Sequence, residues 1–290
     1  MRAAIIDIGS NTARLLVADD DGRALAPVQT ERVVLGLGAS IEQHGRIPRD
    51  KLAQASECAR RFAKAARRSH AEVVEALVTS PGRQAANGRE LLRAIAGGAG
   101  IPVRQLTAEE EGELAYEGAL LGRETTWRTV AVCDVGGGST QIAVGRPGHS
   151  PAWVRSVDLG SLRLTRRVGH GKGAVKRARS ELDAGFAGVI PPLPEGALVV
   201  GGSARALRQV AGRMLGEADL ARAIDELRRR TPKEIAAVYG VDLARARTLT
   251  AGALILAELQ RRLWVPLEIG RGGLREGAVA RLLAQAQAAA

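Results

Sequence analysis

The sequence predicts an α/β fold built from two similar halves, each combining a sheet with helices. A short pattern occurs twice, as AAIIDIGSNTARLLVAD at residues 3–19 and as VAVCDVGGGSTQIAVGR at residues 130–146. Patterns typical of strands and of helices also alternate along the chain. With 290 residues, the chain has room for two medium domains, each with its own hydrophobic core.

Each copy of the repeated pattern predicts a β-hairpin. An apolar run ends on an aspartate, Asp7 or Asp134, and small residues with Ser or Thr lead into a second apolar run. Such a turn directs backbone N–H groups and hydroxyls towards phosphate oxygens, and the carboxylate can hold a divalent cation, directly or through water. Two hairpins facing one cleft would hold a phosphate chain from both sides. An ordinary turn is the alternative for either copy alone, and the repetition favours phosphate binding.

Two other phosphate-binding motifs do not fit. In the dinucleotide fingerprint the glycines open a helix, whereas here the strand-like QIAVG follows DVGGGST. A P-loop needs Gly-Lys followed by Ser or Thr, but Gly171-Lys172 is followed by Gly173. We therefore exclude both motifs.

The remaining segments complete two alternating halves around a polar boundary, GRETTWR at residues 122–128. In the first half, strands are expected at 3–7, 13–18, 32–35, 73–79 and 103–106, with helices at 49–69, from the N-cap Asn87 to Gly97-Gly98, and over TAEEEGELAYEGALL. In the second half, strands are expected in the hairpin and at 152–157, 197–200 and 267–269, with helices at 161–187, from 201 to 263, and at the C-terminus.

Composition narrows the class of protein. Apolar residues make up 46% and aromatic residues 2%, so the core must consist mainly of Ala, Val, Leu and Ile. No apolar run approaches the roughly 20 residues of a membrane span, and the N-terminus enters a strand instead of a signal peptide. Cys58 and Cys133 match no metal-binding spacing. A reduced, cytoplasmic location is the simplest expectation.

The net charge of +11 includes a dense basic segment in the second half. Its members are Arg155, Arg163, Arg166, Arg167, Lys172, Lys176, Arg177 and Arg179, with Asp158 as the single acid among them. Such a segment attracts polyanions, but stacking aromatics and nucleic-acid motifs are lacking. A solvated helix face is the alternative interpretation.

The start of the helix after residue 106 contains three glutamates. Thr107 and Glu110 form a capping box, and Glu109 and Glu110 complement the helix dipole, so all three glutamates can be explained as helix-start residues. Glu111 lies one step past the box. The dipole favours its ionised form, and such a carboxylate can activate water for attack on phosphorus.

Two further segments contain candidate anion ligands. Arg83, in TSPGRQAANG, is expected in a loop, where it could hold a phosphate bidentately or be an ordinary surface charge. Gly201, Gly202 and Ser203 are expected at a helix N-terminus, which can bind an anion. The four histidines are isolated and receive no role.

With these residues in view, the chain resembles the exopolyphosphatase / guanosine pentaphosphate phosphohydrolase family, of the actin-like, sugar-kinase-like ATPase superfamily. The matching motifs, in order, are DIGSNTARLLV, RVVLGLG, TSPGRQAAN, EEEGELAYEGAL, DVGGGSTQ, DLGSLRLT, GGSARAL, RARTLTAGALIL and GGLREG. The resemblance implies two ribonuclease-H-like domains, at residues 1–122 and 123–276, with the active-site cleft between them. The last helix, about 277–290, is expected to return to the first domain.

The resemblance also implies a function and its residues. Members remove terminal phosphates from polyphosphate or pppGpp with Mg²⁺, with Mn²⁺ as the alternative ion. Glu111 is the implied catalytic glutamate that activates water. The implied phosphate ligands are Ser10, Asn11, Thr12, Arg83, Gly136, Gly137, Gly138, Ser139 and Thr140. The implied metal ligands are Asp7, Asp134 and Gln141.

Two departures from the family pattern affect this expectation. The second loop commonly reads DxGGGSTE, and Gln141 replaces the glutamate with a neutral amide. The sequence also stops near Ala290, without the C-terminal helical domains that would support processivity on long chains.

These features leave three functional hypotheses. The leading one is a phosphohydrolase whose substrate is polyphosphate in preference to pppGpp, because Arg83 and the basic segment suit a long polyanion. A catalytically weak nucleotide or polyphosphate sensor is the alternative suggested by Gln141, and a kinase of the same superfamily would need an acceptor pocket and a catalytic aspartate. No membrane or specific nucleic-acid partner is expected, and a homodimer is left open.

Overall fold

Both repeated segments fold as β-hairpins in the computed structural model, and each hairpin lies in its own structural unit. The structure describes residues 1–20, 25–169, 171 and 173–288. The first unit spans Met1–Glu124 and is joined by the C-terminal helix, while the second spans Thr125–Gly273. Lys172 of the basic segment and the last two residues of the expected C-terminal helix lie outside the described residues.

The first unit contains a five-stranded sheet with strand order β3-β2-β1-β4-β5. Its strands are β1 (Arg2–Ile8), β2 (Thr12–Asp20), β3 (Leu25–Val34), β4 (Val73–Val78) and β5 (Val103–Gln105). Its helices are α1 (Leu37–His44), α2 (Arg49–Arg68), α3 (Ser80–Gln84), α4 (Gly88–Ala99), α5 (Ala108–Leu120) and the C-terminal α12 (Leu274–Ala288). The first three strands are antiparallel, and β1, β4 and β5 are parallel.

The second unit repeats this strand order and adds one edge strand, giving β10-β11-β9-β6-β7-β8. Its strands are β6 (Val130–Val135), β7 (Thr140–Gly145), β8 (Trp153–Val157), β9 (Gly196–Val200), β10 (Met214–Leu215) and β11 (Leu267–Ile269). Its helices are α6 (Ser161–Val168), α7 (Ala174–Gly185), α8 (Gly201–Ala211), α9 (Glu217–Arg228), α10 (Pro232–Tyr239) and α11 (Leu243–Leu263). The chain is thus α/β with two ribonuclease-H-like units, as the actin-like ATPase fold requires.

Strand alternation divides the first core into two layers. On β1, Ala4, Ile6 and Ile8 face the layer that contains α2, whereas Ala3 and Ile5 face the layer that contains α5 and α12. Every second residue of a strand shares a face. Asp7 therefore lies on the α5 side of the sheet.

The C-terminal helix packs closely on α5. A Cβ atom on Gly277 would lie 2.1 Å from the carbonyl oxygen of Leu114, so glycine is needed for the helix backbones to approach. Farther along α12, Arg281 forms ion pairs with Glu117 at 2.6 Å and with Glu113 at 3.1 Å. These hydrogen-bonded carboxylates raise the pKa of Arg281. Gly277 of the GGLREG motif is thus a packing residue.

Several local expectations were wrong. The predicted loop around Arg83 is the one-turn helix α3, and α1 and β10 were not anticipated. Asn87 is the N-cap residue of α4, as predicted, but its side chain makes no capping bond and is instead hydrogen-bonded to Ile47. The helix also continues through Gly97-Gly98 and ends before Gly100, whose φ of +61° favours glycine. Among the described residues, no helix is long and apolar enough to cross a membrane.

Candidate functional site

The first hairpin places Asp7 at the end of β1. Its cross-strand partner on β2 is Arg14, and its parallel partner on β4 is Leu77. Directly opposed residues in an antiparallel pair project to the same face. Asp7 and Arg14 therefore share the α5 face of the sheet. Each of the two side chains is half-buried.

The turn after Asp7 is fixed through its backbone carbonyl groups. The carbonyl of Ser10 accepts a hydrogen bond from the N–H of Gly38 at 2.7 Å, and that of Asn11 accepts from Leu35 and Gly36 at 3.0 and 3.1 Å. Leu35 and Gly36 form the link from β3 to α1, and Gly38 lies in the first turn of α1. The RVVLGLG motif therefore holds the first predicted phosphate loop in shape.

Side chains of the same loop connect it to α3. The hydroxyls of Ser10 and Ser80 are 2.7 Å apart and buried. Thr79 donates from both its N–H and its hydroxyl to the carbonyl of Ile8, at 3.2 and 3.3 Å. Thr12 is also buried, while Asn11 is half-exposed. Ser10 thus makes an internal contact in addition to its predicted role towards phosphate.

The second loop is organised in the same way by the start of α6. The N–H of Ser161 donates to the Gly136 carbonyl at 3.0 Å, and those of Leu162 and Arg163 donate to Gly137 at 2.9 and 3.0 Å. Because C=O and N–H of a trans peptide point in opposite directions, these bonds turn the N–H groups of Gly137 and Gly138 away from α6. Such N–H groups are suited to phosphate oxygens.

Gly160 permits this approach. A Cβ atom at this position would lie 2.4–2.6 Å from backbone atoms of Gly137 and Gly138. The DLGS motif is therefore a structural support of the second loop, equivalent to Leu35-Gly36 in the first unit. Neither support was predicted from the individual residues, although a Leu-Gly pair follows the third strand of each unit and is the signal that marks them.

Three side chains of the second loop make internal hydrogen bonds. The hydroxyl of Thr140, which is fully buried, donates to the Leu159 carbonyl at 2.7 Å. Gln141 donates from Nε2 to the hydroxyls of Ser139 and Ser156, at 2.9 and 3.1 Å. The amide nitrogen of Gln141 is thus committed to the protein, and its carbonyl oxygen is the atom suited to a cation.

Asp134 lies opposite Gln141 on the β6–β7 pair, so their side chains share one face. It also lies against the start of α8, because a Cβ atom on Gly201 would be 2.5 Å from Asp134 Oδ1. The predicted anion site at Gly201, Gly202 and Ser203 is therefore adjacent to a carboxylate of the protein itself. A carboxylate is favoured at this positive end of the helix.

The capping box at the start of α5 forms as predicted. Glu110 accepts from the N–H of Thr107 at 2.7 Å, and its own N–H donates to the Thr107 hydroxyl at 3.0 Å. Arg104 also pairs with Glu110 at 2.5 Å. Burial acts to raise the pKa of Glu110, but these hydrogen bonds and the Arg104 charge leave that pKa lowered. Glu110 is thus a structural residue.

Glu111 differs from its neighbours because it is buried. Only 4% of the residue is exposed, whereas Glu109 is exposed and Glu110 is half-exposed. Glu111 Oε1 accepts a hydrogen bond from Arg83 Nη1 at 2.6 Å. The same nitrogen donates to the Leu106 carbonyl at 2.8 Å. The structure therefore brings together two of the predicted site residues in an ion pair.

The basic segment does not form a uniform exposed surface. Arg163 is buried and donates to the Asp158 carbonyl at 3.0 Å, and Arg177 donates to the Val168 carbonyl at the end of α6. Arg167 pairs with Glu181 at 3.1 Å. Several members thus have structural partners, which weakens the inference that the whole segment binds a polyanion.

The described residues contain no cluster of three or more His, Cys, Asp or Glu side chains that could form an all-protein metal site. Mg²⁺ is commonly held by one or two carboxylates together with waters and substrate phosphates. Asp7 in the first unit provides an oxygen donor of this kind, and Asp134 and the Gln141 carbonyl provide donors of this kind in the second unit. Within each unit, such donors suit a cation that is bound together with phosphate.

The fold, with the same hairpin-containing unit built twice, is that of the actin-like class of phosphate-handling proteins. The chain belongs to the Ppx/GppA phosphatase family, whose family model matches residues 16–286. It is accordingly a phosphoanhydride hydrolase by family.

Relatives and solved structures agree with this placement. Exopolyphosphatase 2 of Mycobacterium tuberculosis H37Rv is 29% identical, covering 90% of this chain and 91% of that protein. The guanosine-5'-triphosphate,3'-diphosphate pyrophosphatase of Aeromonas hydrophila is 25% identical, covering 97% of this chain and 59% of that protein. The crystal structure of the Aquifex aeolicus Ppx/GppA family member superposes with a TM-score of 0.82 at 25% identity, covering 98% of each chain.

Proposed function

We propose that this protein is an exopolyphosphatase that releases terminal phosphate from inorganic polyphosphate, with pppGpp as a second substrate. The observation that carries the proposal is the buried Glu111, held by Arg83 in the first turn of α5. The mycobacterial relatives named exopolyphosphatase support polyphosphate, and the Aeromonas relative supports the guanosine substrate.

In the proposed reaction, the Glu111 carboxylate accepts a proton from water as the water oxygen forms a bond to the terminal phosphorus. The bond from that phosphorus to the bridging oxygen breaks, and the electron pair leaves with the shortened chain. Because phosphoryl transfer requires little covalent chemistry of the protein, positioning and charge neutralisation supply most of the catalysis.

The remaining predicted residues bind and orient phosphate. In the first unit these are the loop of Ser10, Asn11 and Thr12. In the second unit they are the residues of the loop from Gly136 to Thr140, in which the N–H groups of Gly137 and Gly138 are the proposed phosphate donors, because the N–H of Gly136 donates to the Ser139 carbonyl. Asp7, Asp134 and Gln141 are the proposed ligands of Mg²⁺, which when bound neutralises phosphate charge.

The test is release of inorganic phosphate by the purified protein from long-chain polyphosphate, tripolyphosphate, pppGpp and ATP, with and without Mg²⁺. We expect Glu111→Gln to lower the rate about 10²- to 10⁴-fold, the usual contribution of a general base. Glu109→Gln is the matched control, because Glu109 lies in the same helical turn but is exposed. Equal rates for wild type and Glu111→Gln would remove the mechanism, and tight binding of polyphosphate without release would instead indicate a sensor.

A further inference from the structure

Arg83 and Glu111 are connected to a fixed part of the sheet through Leu106. Leu106 is fully buried, and its N–H donates to the carbonyl of Val78, the last residue of β4, at 3.0 Å. Its own carbonyl accepts from the Arg83 nitrogen that also bonds Glu111. The carboxylate is therefore linked to the end of β4 through one guanidinium and one backbone group.

The segment that carries Arg83 is tightly packed. A Cβ atom on Gly82 would lie 2.9 Å from a methyl group of Val78, and a Cβ atom on Gly88 would lie 1.9 Å from the Gly82 carbonyl oxygen. The end of the same segment is held by Asn87. Its side chain accepts a hydrogen bond from the N–H of Ile47 at 2.8 Å and donates one to the Ile47 carbonyl at 2.9 Å. These contacts constrain the backbone of the segment from which the Arg83 side chain extends.

The hydrogen bonds of Arg83 point into the protein. Nη1 serves the two acceptors already described, and Nη2 is buried and makes no hydrogen bond among the described residues. A buried polar atom without a partner costs about 1–3 kcal/mol. An ion pair that only stabilised the fold would not explain why this cost is tolerated. The cost is explained if the guanidinium is retained because it orients a reactive carboxylate.

We propose that Arg83 is a positioning residue that fixes and charge-stabilises the Glu111 carboxylate, which accepts a proton from the attacking water, in addition to any contact that Arg83 makes with phosphate. The inference rests on the proposed function of Glu111. Fixing Oε1 to a donor that is itself bonded to Leu106 sets the orientation of the carboxylate group. The nearby cation also favours the ionised form that a base requires.

Steady-state kinetics on the full chain separates positioning from phosphate binding. For Arg83→Met we expect kcat to fall about 10- to 100-fold, with a smaller change in KM, because the lost interaction serves the reacting base. Arg83→Lys should recover much of the rate, since an ammonium can still pair with Glu111. A rise in KM at unchanged kcat in both variants would overturn the proposal and leave Arg83 as a phosphate ligand.

Arg104→Gln is the matched control, because it breaks the neighbouring but exposed pair with Glu110. We expect its kinetics to stay close to wild type. A cooperative thermal unfolding transition shows that a variant is folded. If Arg83→Met does not fold, the kinetics of Arg83→Lys still test the proposal.

A second readout does not depend on activity. In protein labelled with ¹³C at the glutamate carboxyl carbons, the Glu111 signal is assigned by its loss in Glu111→Gln and then followed against pH. We expect Glu111 to take up its proton at higher pH in Arg83→Met than in wild type, because a buried carboxylate has lost its cation, and to be unchanged in Arg104→Gln. An unchanged titration in Arg83→Met would overturn the proposal. If the wild type hydrolyses no substrate, the proposed function fails, while this titration still tests the Arg83–Glu111 relationship.

Discussion

Gln141 donates a hydrogen bond from its amide nitrogen to the hydroxyl of Ser139, within the loop predicted to bind phosphate. The same nitrogen reaches Ser156 on β8, so the amide links β7 to the loop and to its neighbouring strand. The replacement of the expected glutamate by glutamine is thus accommodated by two hydroxyl partners. It also places a neutral amide, and not a second carboxylate, opposite Asp134 on the neighbouring strand.

Gln141→Glu should increase the affinity for Mg²⁺ and reduce stability in its absence. Both serine hydroxyls can rotate to donate to the new carboxylate, so the local hydrogen bonds survive. Opposed like charges at residues 134 and 141 should cost up to about 1 kcal/mol without a cation. Thermal midpoints in EDTA and in Mg²⁺, and the Mg²⁺ dependence of phosphate release, test this expectation. Gln141→Met is the control that removes the polar group without adding charge, and an identical Mg²⁺ requirement in Gln141→Glu would place the cation elsewhere.

Gly201→Ala should impair Mg²⁺-dependent phosphate release through Asp134 more than Gly212→Ala does. Both glycines have positive φ, at +92° and +83°, so each alanine costs roughly 1–3 kcal/mol of backbone strain. Only at Gly201 would the new Cβ meet Asp134 Oδ1, at 2.5 Å, since nothing lies within 4 Å at Gly212. Unfolding curves measure the shared strain, and the Mg²⁺ dependence of the rate measures the displacement of Asp134. Equal kinetics in the two variants would show that the position of Asp134 is unimportant.

Glu110 should stabilise the protein in a pH-dependent manner. Its pKa is lowered from the ordinary value of 4.5, so the folded state binds the proton less readily than the unfolded state. The stabilisation is therefore complete above the ordinary value and is lost as the pH falls through the lowered pKa. We expect Glu110→Gln to reduce the free energy of unfolding near pH 7 by at most about 1 kcal/mol, because the pair with Arg104 is exposed. Urea titrations should show the two proteins converging below about pH 4, and a constant difference across this range would contradict the assignment.

Gly277→Ala should be strongly destabilising for so small a change. The added methyl group would collide with the Leu114 carbonyl and force α12 away from α5, at a cost of about 1–3 kcal/mol. Gly97→Ala is the matched helical control, because no atom lies within 4 Å of its added Cβ, and we expect a gain of about 0.5–1 kcal/mol there. Equilibrium unfolding of both variants measures the difference. Similar free energies in the two would show that α12 can shift without cost.

The local pattern predicted the elements that carry their own signals. Both hairpins, α5 with its capping box, and the strand-helix order follow from short-range periodicity and turn composition. The local pattern did not predict the one-turn helix α3, because its Ser-Pro-Gly sequence is typical of loops. Asn87 is the N-cap residue of α4, as predicted, but the pattern did not predict that its side chain would bond to Ile47, forty residues away.

The sequence by itself determined the two-unit α/β fold, the family, and Glu111 as the glutamate left over after the capping box. Tertiary structure alone decided that Glu111 is paired with Arg83, that Leu35-Gly36 and Gly160-Ser161 hold the two loops, and that Asp134 faces the start of α8. The physical reason is the separation along the chain of the residues that interact. Periodicity and capping act within a few residues of the chain, whereas these contacts arise only when neighbouring strands, parallel or antiparallel, bring distant segments to one edge of a sheet.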